Sequence, residues 1–368
     1  MLDTRTPSRG PKILVIGAGV VGLTTALVAR RRGYEVVIVA DRFAPDITSA
    51  VAGALWEWPP AVCGHHRDSS SLERSKGWAA ASYRIFTELA DDPGTGAFVR
   101  PVVFYLRRPL AEDPFEQRKM RELSAVVSGF RHDVAIAEEH GVSPDAEVRD
   151  AHAHLAPAID TEAYLQWLQR QVLAAGCAIQ QRRIGAPLAK SERDLLREFG
   201  AAAIVNCSGL AAGHLVPDQR VYPLRGALVH LRNDGTDMPR ITTAHCMAFD
   251  ESLGGQNMIF IVPRGRDRLV AGGLVQPGEW DTDLTMDDAD VRSMLERCRT
   301  FLPALRAAAP VDDRPIRTGL RPARHGNVRL EVEPGTSIVH CYGHGGSGVT
   351  FSWGSATEAT DILDKITQ

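Results

Sequence analysis

Paired-cysteine motifs are missing from this chain. Its six cysteines, Cys63, Cys177, Cys207, Cys246, Cys298 and Cys341, are scattered without a CxxC, which argues against a disulfide frame or zinc site and reads as buried or idle thiols in a reducing compartment. Twelve histidines do not change this. His65-His66 and His152-x-His154 lack carboxylates at ligand spacing, so they read as loop or surface residues and no metal is expected. A surplus of charge is missing too: 42 Lys and Arg stand against 45 Asp and Glu, which gives no basis for nucleic acid or an anionic membrane as partner. No apolar run of membrane-spanning length is free of glycine or threonine, so no transmembrane helix is expected. There is no internal repeat and no low-complexity linker, and no tyrosine lies between Tyr222 and Tyr342. What remains is a 368-residue chain, long enough to bury large cores in two intertwined domains and suited to a soluble, cytoplasmic enzyme.

What the sequence does have is a glycine-rich segment near each end: Val15-Ile16-Gly17-Ala18-Gly19-Val20-Val21-Gly22 and His340-Cys341-Tyr342-Gly343-His344-Gly345-Gly346-Ser347-Gly348. The first has the context of a dinucleotide fingerprint. Ile13 to Ile16 reads as a strand and Leu23 to Arg32 as a helix. Gly17 permits the tight turn, Gly19 lets backbone approach a pyrophosphate, and Gly22 lets helix pack on strand. A second strand, Glu35 to Ala40, ends at Asp41, 19 residues after Gly22, where a carboxylate accepts hydrogen bonds from ribose hydroxyls. A secretory signal is the alternative, since Arg5, Arg9 and Lys12 precede the apolar stretch; the paired strand that follows argues against it. The second segment suggests that the chain returns to the same cofactor.

Between the two, helices are predicted over Leu72 to Ala90, Gln117 to Phe130 and Met286 to Thr300, with Asp160 as N-cap of a helix that runs to Ala175. Strands are predicted over Val99 to Leu106, Ala202 to Cys207, Ala227 to Leu231, Met258 to Val262, Leu269 to Leu274 and Ile338 to Tyr342, implying a mainly antiparallel second domain. Ser208-Gly209-Leu210-Ala211-Ala212-Gly213 is a turn of small residues where backbone can approach a ligand. Thr350 to Ile366 reads as the closing helix.

Val39-Ala40-Asp41-Arg42-Phe43, Thr48 through Trp56, Asn206-Cys207-Ser208-Gly209, Arg317-Thr318-Gly319-Leu320-Arg321-Pro322 and His340 to Gly348 occur in the order and spacing of the D-amino-acid oxidase family, which the chain resembles along nearly its whole length. Cys341 departs from the Asn, His or Ala usual in its slot. The resemblance implies a non-covalent FAD and an α/β architecture in which a Rossmann-like FAD-binding domain (1–70, 150–215 and 315–368) is interleaved with a mainly antiparallel sheet substrate domain (71–149 and 216–314). It implies that Gly17, Ala18, Gly19, Val20, Val21, Gly22, Asp41, Arg42, Thr48, Ser49, Gly53, Ala54, Leu55, Ser208 and Gly209 line the cofactor. Gly345, Gly346, Ser347, Gly348, Val349 and Thr350 join them near the flavin pyrimidine, under the dipole of the following helix. It also implies a small amine or amino-acid substrate, O2 as electron acceptor, H2O2 as product, and a homodimer as a possible assembly.

Hydride transfer to flavin N5 needs the substrate Cα–H positioned over the ring more than it needs a protein base. The carboxylate needs a grip, which a planar guanidinium supplies with two parallel charge-assisted hydrogen bonds. Arg321 stands where the family makes this clamp; the alternative is a structural strand arginine among Arg314, Arg317, Arg324 and Arg329. Phe260 stands where a tyrosine hydroxyl is expected, a loss of about 0.5 to 1.5 kcal/mol, and Glu57 stands where an amide is usual, which points to a cationic or amine-bearing side chain. With Gly346 these make up the expected catalytic set. Gln256, Asn257 or His245 is the alternative donor, from an expected lid over Ala244 to Gln256. An N-substituted glycine or specialised secondary amine is the alternative substrate. A serine hydrolase reading of His344-Gly345-Gly346-Ser347-Gly348 fails because G-x-S-x-G needs glycine where Val349 stands.

Overall fold

The computed structural model describes residues 10–60, 66, 68–311 and 314–367. In chain order the strands are β1 (Lys12–Ile16), β2 (Glu35–Ala40), β3 (Ala97–Leu106), β4 (Arg131–His132), β5 (Asp150–Ile159), β6 (Ala178–Gln181), β7 (Ala203–Asn206) and β8 (Val221–Arg232), followed by β9 (Ala244–Met247), β10 (Ile259–Arg264), β11 (Arg268–Gly272), β12 (Gln276–Pro277), β13 (Ile316–Arg324), β14 (Arg329–Val332) and β15 (Ile338–Tyr342). The helices are α1 (Val20–Arg31), α2 (Ser69–Leu89), α3 (Pro114–Ser124), α4 (Ile136–Glu139), α5 (Thr161–Ala174), α6 (Leu188–Phe199), α7 (Ala212–Leu215), α8 (Ala289–Phe301) and α9 (Gly348–Ile366).

Continuous apolar runs such as Val36 to Val39 suit strands covered on both faces. Accordingly β1, β2, β6, β7 and β15 pair in parallel, in the order β14-β15-β7-β1-β2-β6, and only β14 runs antiparallel, as the edge. Alternation along β1 sends Ile13 and Val15 to the core that holds α1 and α9, and Leu14 and Ile16 to the opposite core under α6.

The second sheet has the order β12-β8-β11-β10-β9-β3-β5-β4, with β13 on the other edge of β8. It is antiparallel except where β3 meets β9. Its outer face, with Val103, Tyr105, Ile259, Ile261, Leu269 and Val229, is covered by Val291, Met294, Leu295 and Phe301 of α8. Its inner face, with Val102, Cys246, Val262, Val270 and Leu228, shares one core with α1 and the parallel sheet. Residues 150–159 and 316–324, expected to lie with the FAD-binding fold, form β5 and β13 of this large sheet.

Several predicted elements shift. The helix expected over Gln117 to Phe130 is α3, which starts earlier because Asp113 accepts hydrogen bonds from the Phe115 and Glu116 amides, and stops before Val126-Val127 and Ser128-Gly129. The helix expected from Met286 starts at Ala289, because the Asp288 carboxylate is engaged by Thr285. Asp160 does precede α5, but its side chain caps nothing and turns to Arg268, 3.3 Å away. The expected lid over Ala244 to Gln256 begins as a strand: Ala244 to Met247 is β9, buried between β3 and β10. His152 and His154 are not loop or surface residues but buried members of β5; His65 and Cys63 lie outside the described residues. The five described cysteines are buried and free, and among the described residues no helix is long and apolar enough to cross a membrane.

Candidate active site

Three glycines fix the turn between β1 and α1. Gly17 has φ +111°, and a Cβ there would lie 2.4 Å from the Cys207 carbonyl oxygen; a Cβ at Gly22 would lie 2.0 Å from the Gly17 oxygen. Gly19 is the N-cap of α1 and brings no side chain to it. The helix start meets an oxygen instead: the Val20 amide donates to Ser49 Oγ at 3.0 Å. Helix N-termini hold unpaired N–H groups and a positive dipole end, so an oxygen there is what the geometry favours.

The Ser208-Gly209 turn after β7 packs beside Gly17, and Gly209 has φ +59°. Asn206 shapes the turn, accepting from the Ser208 amide at 3.2 Å while its amide nitrogen meets His340 Nδ1. Two buried hydroxyls here, Ser208 Oγ and Ser347 Oγ, have no hydrogen-bond partner among the described residues. Buried polar atoms are ordinarily paired, so both hydroxyls are free to meet a further polar group. Gly345 to Ser347 form a single 3₁₀ turn that leads into α9, where Val349 and Thr350 are buried. Asp41 and Arg42 are exposed beyond β2 and face each other at 3.9 Å.

The 48–57 stretch bridges the two sheets. Thr48 Oγ1 donates to the Leu320 carbonyl at 3.1 Å, and a Cβ at Gly319 would strike Val51 at 2.5 Å, so β13 is seated against this stretch. Ala54 takes φ +51°, and its carbonyl accepts from the Ile159 amide at 2.9 Å. Leu55 bridges to Ala158 and the Trp56 amide donates to Pro157 O at 2.8 Å, so the chain runs along β5. Arg264 and Thr161, which sequence reasoning missed, hold it from below. Arg264 is buried and donates to the Ala52 and Gly53 carbonyls, both at 2.8 Å, and to Thr161 Oγ1 at 2.9 Å. Thr161 in turn donates to Ala50 O at 2.7 Å. Burial draws the Arg264 pKa down to about 10, leaving it charged at neutral pH. Only its place after Pro263 hinted that it ends a strand.

Arg321 lies on the inner face of β13. A Cβ at Gly226 would come within 2.3 to 2.4 Å of its guanidinium atoms, so the glycine makes room for the fork. Its Nη1 donates to Leu274 O at 3.0 Å and Arg225 O at 3.3 Å, and no carboxylate among the described residues pairs with it. Its neighbours are spoken for: Arg317 faces Glu162, Arg324 is bound to Asp218 at 2.8 Å, and Arg329 pairs with Glu331 and Glu333. Asp218 also accepts from Tyr342. Burial alone would raise the Asp218 pKa, but the hydrogen bonds from Arg324, the Arg220 amide and Tyr342 hold it well below the carboxylate range.

Phe260, on β10, sets its ring tip against Gly53, where a Cβ would lie 2.7 Å from two ring atoms. Glu57 is further along, mostly buried and 3.8 Å from Lys119 Nζ. The alternative donors are committed elsewhere. His245 Nδ1 meets the Tyr105 hydroxyl at 2.8 Å, Gln256 is tied to Val275 by two 2.8 Å hydrogen bonds, and Asn257 holds the 250–254 loop. The structure therefore brings Gly17 beside Ser208, Gly19 beside Ser49 and Gly53 beside Phe260, a seam that runs from the parallel sheet through the 48–57 stretch to the large sheet; β13, which carries Arg321, packs against that stretch and against the 345–347 turn, whereas Asp41 and Arg42 are exposed beyond β2 and Glu57 faces Lys119.

Comparison with known proteins gives a consistent result. The family model for FAD dependent oxidoreductases matches residues 12–362. The chain is 35% identical over 354 residues to a D-amino-acid oxidase of Rubrobacter xylanophilus, covering 95% of each chain, and 33% identical over 358 residues to one of Streptomyces coelicolor, covering 96% of this chain and 97% of that one. Among solved structures, glycine oxidase from Geobacillus kaustophilus superposes with a TM-score of 0.76 at 18% identity, over 96% of this chain and 95% of that one.

Proposed function

The chain belongs to the FAD dependent oxidoreductase family, and from that premise we infer that it is an oxidase of D-amino acids, with Arg321 as the anchor of the substrate carboxylate. FAD, when bound, supplies a hydride acceptor for the carbon bearing the amine and a route for the electron pair to O2, with H2O2 and an imine that hydrolyses as products. The α1 N-terminus, Ser49, Ser208 and Ser347 would hold it, and the two unpaired buried hydroxyls and the side-chain-free approach at Gly19 fit such a group. No cysteine lies in a recognisable flavin-linking motif, so the association is non-covalent.

The observation that carries the substrate reading is the unpaired state of Arg321. A half-buried guanidinium held by two backbone carbonyls on one nitrogen, with no acid of its own among the described residues, is set to receive a planar anion. Phe260 lies on the same sheet face, and Arg264 fixes the Ala52-Gly53 backbone against which it packs. These residues position the substrate and exclude water from it. The named relatives support a D-amino acid as the donor.

The test is anaerobic mixing of the purified yellow protein with D-amino acids, glycine derivatives and secondary amines. Bleaching by D-amino acids, with H2O2 formed on readmission of air, is the expected result. Bleaching only by secondary amines, or by nothing in the panel, overturns it.

A further inference from the structure

The first turns of α2 and the connection between β13 and β14 do not close on each other. Ser71, Arg74, Ser75 and Trp78 share one face of α2 at spacings of three and four residues. Between that face and Arg220, Arg324 and Arg329 lies a cavity of about 190 Å³. Gly326, at φ +94°, turns the chain between the two strands, so that Arg324 and Arg329 flank the opening. Among the described residues, none of those assigned above to cofactor or substrate lines it. A space of this size holds several waters or one small ligand.

Its walls hold unspent donors. Arg324 is 6% exposed; its Nε donates to Asp218 at 2.8 Å and its Nη1 to the Asn327 carbonyl at 2.6 Å, while Nη2 has no hydrogen-bond partner among the described residues. Arg220, half exposed at the mouth, spends its Nε on the same Asp218 at 3.3 Å and leaves both Nη atoms unengaged among the described residues. Ser75 is 2% exposed, and its hydroxyl has no hydrogen-bond partner among the described residues. Arg74 lies over the Trp78 ring at 5.1 Å and gives Nε to Glu358 and Nη2 to the Leu330 carbonyl, which leaves Nη1. The α2 start adds nothing to these side chains, because the Asp68 carboxylate already takes the Ser71 amide at 2.7 Å.

Charge is unevenly divided across the cavity. Arg220 and Arg324 share one carboxylate, Asp218, so their end carries a surplus positive charge. The surplus acid stands at the other end, where Arg329 pairs with both Glu331 and Glu333, and there the Glu331 side chain is 59% exposed and screened by water. A buried hydroxyl and a buried guanidinium N–H that face the same space are costly unless something meets them. A carboxylate accepts along one planar edge, whereas the donors here arrive from α2, from β13 and from the residue before β8. A tetrahedral oxoanion, with acceptors on every side, satisfies all three directions.

We propose that this cavity is a binding site for phosphate, free or as a small monoester, gripped by Arg220, Arg324 and Arg74 with the Ser75 hydroxyl as a further donor. Bound there, the anion ties α2 to the β13–β14 connection and, through Asp218, to Tyr342 at the end of β15. The site is independent of the oxidase reading above.

Calorimetric titration and thermal melts of the holoenzyme test it, with inorganic phosphate, methyl phosphate and acetate compared in chloride of matched ionic strength. Phosphate at about 10 mM is expected to raise Tm by about 2 °C or more, and acetate should bind at least about tenfold more weakly. Arg220→Ala should weaken phosphate about tenfold or more, Arg220→Lys should recover part of that loss, and Ser75→Ala should cost about three- to tenfold. All three variants should keep wild-type flavin content, because none of these side chains reaches the seam; should one fail to fold, the others still carry the comparison. Methyl phosphate bound as tightly as phosphate identifies the ligand as a monoester, and its exclusion identifies the free ion. No stabilisation beyond that of chloride, equal affinity for acetate, or an undiminished phosphate response in both Arg220→Ala and Ser75→Ala overturns the site and leaves a cavity that holds water only.

Discussion

Truncation of Arg321 separates the substrate anchor from the cofactor seam. In the protein Nη1 is engaged by the Leu274 and Arg225 carbonyls, while Nε and Nη2 have no partner among the described residues; those two atoms are the edge that can grip a carboxylate in parallel. Arg321→Ala removes both charge-assisted bonds and leaves the bound carboxylate without its counter-charge, a cost of about 2 to 5 kcal/mol. At about 1.36 kcal/mol per decade, kcat/KM falls roughly 30- to 5,000-fold. The lost carbonyl bonds cost the fold only about 1 kcal/mol each, so the variant should stay folded and yellow. Arg321→Lys restores a point charge but not the fork, and its activity should fall between the two. Anaerobic titration of flavin bleaching reads substrate affinity, and the flavin absorbance of the same sample reads cofactor content. Wild-type affinity in Arg321→Ala, or loss of FAD in step with loss of activity, would refute the assignment.

Gly19→Val sets a branched side chain about 3.1 Å from Ser49 Oγ at the start of α1; overpacking there should weaken FAD binding by about 1 to 3 kcal/mol, read as reduced flavin content, and full occupancy would move the cofactor elsewhere. Phe260→Tyr should improve turnover of small D-amino acids such as D-alanine about tenfold, the equivalent of roughly 1.4 kcal/mol; a wild type that already oxidises D-alanine at kcat/KM near 10⁴ M⁻¹s⁻¹, about the lower end of the usual range, would make the missing hydroxyl neutral. Burial holds His152, His154, His230 and His245 neutral, the last three with pKa near 3. A base whose folded pKa lies below its unfolded value stabilises the fold above about pH 6.5 and loses that contribution as pH falls toward 3, by up to about 1.4 kcal/mol per pH unit for each histidine. The Tm of the holoenzyme should therefore drop steeply between pH 6.5 and 5, and a flat profile would mean that burial does not hold these imidazoles neutral in the folded state.

The parts legible in the sequence are those where backbone geometry leaves one residue type. Gly17 and Gly22 have neighbouring oxygens within 2.4 Å of where a Cβ would stand, so the fingerprint has to be written in glycine and could be read directly. Arg321 was legible as a position but not as a state. Four other arginines stand between positions 314 and 329, and what sets Arg321 apart is that Arg317, Arg324 and Arg329 have acids from Glu162, Asp218, Glu331 and Glu333, a sorting that only tertiary contact performs. The β5 segment, Asp150-Ala-His-Ala-His-Leu-Ala-Pro-Ala-Ile159, hid for the opposite reason. It holds one β-branched residue, at its end, and is a strand because β3 pairs with it along its whole length, so local propensity had little to report.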